Sequence, residues 1–141
     1  MPPPMRIAHV TATFPPYHGG AGSVCYYNAL GLARLGHDLT VITADHPPGD
    51  YPYPPEIEVR RLPVLFRIGN APLTPALLSL EHFDIVHLHY PFYFGGEILL
   101  CKSLMGSTRY VVTYHQDVLF QGALRVPEQL HHRCLGMRIL R

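Results

Sequence analysis

The chain has 141 residues, one domain's worth and too few for two. Eleven Lys and Arg stand against ten Asp and Glu, and residues 1–70 carry five of each sign while 71–141 carry six and five, so no nucleic-acid footprint is expected. A content of 48% hydrophobic and 15% charged residues argues against disorder and leaves part of the surface poorly suited to bulk water.

Residues 1–6 (MPPPMR) have no apolar stretch behind them, so no secretory signal is expected; 1–4 read as a disordered arm before one domain, 5–141. Residues 6–11 (RIAHVT) form an apolar run of strand length, and 39–43 (LTVIT) a second, both expected to be buried on two faces. Between them 22–35 (GSVCYYNALGLARL) is apolar nearly all round, with Arg34 in its last turn and Gly36 as a stop, which predicts a helix sandwiched between layers. A βαβ unit of this length obliges its strands to be parallel, with a right-handed crossover. Residues 44–55 hold five of the fifteen prolines and read as loop. Residues 57–62 (IEVRRL) alternate as an edge strand does.

The tract 63–80 is broken by Arg67, Gly69, Asn70, Pro72 and Pro75, far short of the ~20 clean residues of a spanning helix. With Arg60, Arg61 and Arg67 it fits a peripheral contact with an anionic membrane surface, or a loop packed on its own domain. Residues 75–81 predict about two helical turns, 84–89 (DIVHLH) a fourth strand, 95–104 (GGEILLCKSL) a helix and 109–115 (RYVVTYH) a fifth strand. From 127 to 141 a helix pattern starts near Pro127 and places Leu130, Cys134 and Met137 on one face. Nothing stops that helix before Arg141, so a truncated chain is expected.

Strands alternating with helices define an α/β class, a Rossmann-like open, mostly parallel sheet with helices on both faces; such sheets bind ligands beyond the carboxyl ends of their strands, where strand order reverses. After the first strand, residues 11–23 bring Gly19, Gly20 and Gly22 to a helix N-terminus, whose free amides and dipole suit a phosphate. A loop that needs positive φ at Gly19 or Gly20 for steric reasons alone explains the same glycines equally well. Asp45, near the end of the second strand, sits where dinucleotide-binding proteins keep a ribose-binding acid, but seven residues with two prolines replace their tight GxGxxG turn. His87 and His89 form an HxH pair on one strand face; nothing is spaced to complete a metal shell, so a structural His87 and no metal are expected. His89 and His115 close the fourth and fifth strands, with Asp117 just beyond, and an imidazole at that rim can hydrogen-bond a hydroxyl or phosphate. Ser23 lacks a GxSxG setting, and Cys25 lies inside an apolar helix. Cys25, Cys101 and Cys134 are odd in number and far apart, which suits a reducing, cytoplasmic compartment.

Residues 5–16 (MRIAHVTATFPP), Gly19 and Gly20, 33–43 (ARLGHDLTVIT), 84–89 (DIVHLH) and 111–119 (VVTYHQDVL) resemble, in order and spacing, the N-terminal domain of family 4 glycosyltransferases. These are retaining enzymes of the GT-B fold. The resemblance implies one incomplete GT-B N-terminal domain, truncated before its last strand or strands and before the C-terminal domain that grips the nucleotide-sugar with a paired-glutamate motif. It makes this the half that receives the acceptor, a glycan, a lipid-linked molecule or a small molecule, in the cytoplasm or at the inner face of the membrane. By position, Gly19 and Gly20 resemble the loop that approaches the donor diphosphate, His115 the catalytic histidine that reaches the donor sugar, and His89 and Asp117 cleft-lining residues. Front-face attack assisted by the leaving diphosphate requires no metal, cofactor or dedicated base, and positioning and charge stabilisation carry the rate. The 141 residues alone are therefore expected to be inactive. Two alternatives are a non-catalytic binding subunit that pairs with a separate donor domain, and an NAD-type dinucleotide-binding domain.

Overall fold

A computed structural model of the protein describes residues 3–106, 108–116 and 125–140. Asp117 lies outside the described residues. The chain runs β1 (Arg6–Thr11), α1 (Gly20–Arg34), β2 (Asp38–Ala44), β3 (Glu58–Leu62), a short hairpin of β4 (Phe66–Ile68) and β5 (Ala71–Leu73), a 3-10 turn (Pro75–Ser79), β6 (Ile85–Tyr90), α2 (Gly95–Met105) and β7 (Arg109–Tyr114). It then enters α3 (Arg125–His131), a π-helical turn (His132–Gly136) and α4 (Met137–Ile139).

Five strands form one parallel sheet in the order β3-β2-β1-β6-β7. Register is set by pairs such as Ile7↔Leu39, Ile7↔Ile85 and Ile85↔Arg109. From β1 the chain winds outward through β2 and β3, then returns to the other side of β1 with β6, so strand order reverses between β1 and β6. Beyond its first residue, each of β1 and β2 is buried throughout, as their unbroken apolar runs predict for central parallel strands. β3 is the half-exposed edge that its alternation predicts.

Period two splits the central strands between two cores. Ala8, Val10 and Ile42 join Leu88, Tyr90, Phe92, Leu99 and Ile139 on the α2 side. Ile7, Leu39 and Val41 join Phe14, Cys25, Ala29 and Ile57 on the α1 side. Each of these large apolar side chains contributes about 1.5–3 kcal/mol by leaving water.

Four expectations change. Helix α1 starts two residues early, at Gly20, and is not sandwiched: Gly22, Cys25, Ala29 and Leu30 face the sheet, whereas Tyr27 and Leu35 are exposed. Leu35 stands past the last helical residue, and the helix is covered on one side only. The tract 63–80 is no simple loop, because Gly69 takes φ +58 in a two-residue turn between β4 and β5, the geometry glycine alone adopts freely at the first turn position. In place of the about two helical turns expected over 75–81, a shorter 3-10 turn forms over Pro75–Ser79, with Pro75 at the start. On the last helix Leu130, Cys134 and Met137 face solvent, and Gly136 and Ile139 turn inward instead. The helix docks at its smallest residue: a Cβ at Gly136 would lie 3.1 Å from Tyr90 Oη, so close approach, not apolar content, chooses the face. The intervening π turn also breaks the 3.6-residue spacing on which the face was read.

Candidate functional site

The loop after β1 and the loop after β6 meet at the strand-order reversal. There they open a crevice of about 340 Å³, lined among others by Thr13, Tyr17, Gly19, Gly20, Tyr93 and Gln116. Asn70, in the hairpin turn, donates to Tyr17 Oη at 2.8 Å and so ties the hairpin to the crevice rim. The first helical bond of α1 runs from Ser23 N to Gly19 O; no side chain caps the helix and no acid stands in its first turn. Its leading amides and the positive end of its dipole are thus left for an anion.

Neither glycine of the pair is demanded by the backbone. Gly19 has φ −150, Gly20 is an ordinary first helical residue, and the glycines with positive φ among the described residues are Gly36, Gly49 and Gly69. A Cβ at Gly20 would meet nothing within 4 Å. The steric explanation of Gly20 therefore fails, and its missing side chain leaves open space at the helix N-terminus. Gly22 is different, because its Cβ would strike the Thr13 backbone.

Four histidines, none of which lines the crevice, cluster around one sheet face: His9, His89 and His115 are linked in a row and His87 packs against the first two. Strand register sets His9 of β1 beside His87 of β6. Period two keeps His9, His87 and His89 on the same sheet face as Ile7 and Ile85, the α1 side. His115 follows β7, with its amide bonded to Tyr90 O, and Gln116 beside it reaches the crevice. His9 Nδ1 lies 2.9 Å from His89 Nε2, and His89 Nδ1 lies 2.9 Å from His115 Nε2. His87 Nε2 bonds Thr113 Oγ1 at 2.7 Å, the satisfied structural role expected of it.

His89 is not open to the cleft: it is 1% exposed and backs His115, which is half-buried. Burial, reinforced by the neighbouring His87, pushes both His9 and His89 down to about 3. Burial also lowers His87 and His115. The row is neutral at neutral pH, each ring offering one N–H and one lone pair. Sequence reading found His87, His89 and His115 but missed His9, whose signal was its place on a strand that adjoins β6.

The remaining candidates are occupied. Asp45 accepts from Arg61 Nε at 2.9 Å, which removes it as a free ribose-binding acid. Ser23 Oγ donates to Gly19 O, and burial pushes the Cys25 thiol well up, leaving it unreactive. Arg60 is bound by Glu58 and Glu81 and Arg61 by Asp45, so of the three arginines near tract 63–80 only Arg67 forms no ion pair among the described residues. Among them, too, no helix is long and apolar enough to cross a membrane. A second hollow, of about 360 Å³ and almost wholly apolar, adjoins the crevice through Ile68, Ala71 and Tyr93.

The sequence profile of Glycosyltransferase Family 4 matches residues 18–138. The O-antigen chain mannosyltransferase C of Escherichia coli is 31% identical over 141 residues, which cover 94% of this chain and 37% of that protein. The chain thus spans little more than a third of the length of the curated relative it matches. With a profile match over most of its length and a parallel sheet whose strand order reverses beneath the glycine loop, the chain belongs to glycosyltransferase family 4.

Proposed function

We propose that this chain supplies the acceptor-side half of an enzyme that moves a hexosyl group from a nucleotide-sugar to a glycan, lipid-linked or small-molecule acceptor, with retention at the anomeric carbon. The observation that carries the reading is the unobstructed space at Gly20, on an uncapped helix N-terminus, in the crevice where strand order reverses. The amides of Gly19 and Gly20 would neutralise charge building on the leaving diphosphate, and His115, next to Gln116 at the rim, would hold a sugar oxygen. A donor-binding half completes the site. In this arrangement the leaving diphosphate takes the acceptor's proton, and the protein contributes positioning and charge stabilisation.

The test uses the full-length protein and a panel of nucleotide-sugars; the relative's printed activity makes activated mannose the first donor to try. Transfer with retention is expected, and His115→Gln should lower it by about 10²-fold, the usual effect of removing one polar group that stabilises a transition state. No transfer from any nucleotide-sugar, or full turnover by His115→Gln, would overturn the reading.

A further inference from the structure

His89 commits both ring nitrogens to other histidines, Nε2 to His9 Nδ1 and Nδ1 to His115 Nε2. A neutral imidazole has one donor and one acceptor, so whichever nitrogen of His89 donates, the other must accept. The two bonds therefore run in the same direction along the row, and only two arrangements exist. Running inward, His115 Nε2–H donates to His89, His89 Nε2–H donates to His9, and His9 is left with an N–H at Nε2. Running outward, His9 Nδ1–H donates to His89, His89 Nδ1–H donates to His115, and His9 Nε2 keeps a lone pair.

The far end decides between them. His9 is fully buried and its Nε2 has no hydrogen-bond partner among the described residues. An orphaned buried backbone N–H is rarer in proteins than an under-satisfied carbonyl, and we apply the same order to the ring nitrogens. The outward arrangement leaves the less costly atom alone, and it places the mobile proton of His115 on Nδ1.

We propose that His9 and His89 are positioning residues that hold His115 in its Nδ1–H tautomer, so that this half-buried imidazole, next to the crevice-lining Gln116, meets a sugar hydroxyl or diphosphate oxygen as a hydrogen-bond donor. The function of that donor rests on the sugar-transfer reading; the tautomer itself does not. A metal centre is the competing use of the cluster, since His9, His87 and His89 bring ring nitrogens within 4.8 Å of one another. It is disfavoured because His89 has no nitrogen to spare, His87 Nε2 is held by Thr113, and the His87 and His89 rings stack at 23° rather than converge on a point.

Nitrogen NMR of the full-length protein, labelled with ¹⁵N in its histidines, tests this directly. Protonated and bare ring nitrogens resonate far apart, and couplings to the ring carbon protons separate Nδ1 from Nε2; the signal missing from His115→Gln identifies His115. The expected result is a protonated Nδ1 at His115, the reverse of the preference of free histidine in water. His9→Asn, whose side-chain amide can donate from the place of Nδ1, should preserve it. His89→Leu, which takes away the N–H that the half-buried His115 accepts at Nε2, should remove the bias and give mixed tautomers. A protonated Nε2 at His115 in the unmodified protein, or a tautomer indifferent to His89→Leu in a folded variant, would overturn the proposal. So would joint displacement of the His9, His87 and His89 signals by Zn²⁺ alone. Loss of sugar transfer with the tautomer intact would instead count against the functional reading.

Discussion

A side chain at Gly22 would place its Cβ 2.6 Å from the carbonyl oxygen of Thr13. Both partners are main chain, so neither can swing aside, and the start of α1 is pressed directly on the loop that leaves β1. Gly22→Ala should destabilise the fold by about 1–3 kcal/mol, as overpacking at a rigid contact does. Urea unfolding measures it, and a midpoint equal to that of the unmodified protein would show that the loop yields freely.

Gly20 gives the opposite expectation two residues earlier. Space is open there and the backbone is helical, so Gly20→Ala should leave stability unchanged or raise it by up to about 1 kcal/mol. Sugar transfer by the full-length protein should nevertheless fall, because the added methyl stands where a diphosphate oxygen would approach. Steady-state kinetics with varied donor concentration distinguish the outcomes, and an unchanged donor KM would mean that the ligand does not use this amide.

Acid should weaken the fold before any carboxylate titrates. His9 and His89 are held near 3 against an ordinary 6.5, so below pH 6.5 the unfolded chain takes up protons that the folded chain refuses. Stability then falls with falling pH by about 1.4 kcal/mol per pH unit for each of the two histidines. Glu58, held low by Arg60, loses its contribution only at still lower pH. The lowered His87 and His115 add to this slope. Unfolding midpoints between pH 8 and 5 test it; His9→Asn should remove only the part due to His9, and a flat profile would contradict the burial argument.

The parts of the fold legible in the sequence were those governed by local rules. The runs at β1 and β2 announced two-sided burial, alternation at β3 announced an edge, and the glycines marked the start of α1. What escaped depended on fit between distant segments. Nothing local reveals that Gly136 seats the last helix on Tyr90, or that Asn70 reaches Tyr17 across 53 positions. His9 looked like one polar residue in an apolar run; it acquires meaning only when β1 lies beside β6. His89 was placed correctly at a strand end, yet no pattern could tell that His115 would cover it.

The order in which the sheet is threaded has a consequence for how the protein comes into being. β1 can zip onto β2, and β2 onto β3, while the later chain is still being synthesised, yet the other neighbour of β1, β6, begins 78 positions after Ile7 at Ile85. Pairings of such long sequence separation are slow to form. The imidazole row joins β1 to the residue that follows β7, so a nascent chain must extend past His115 before the row can assemble.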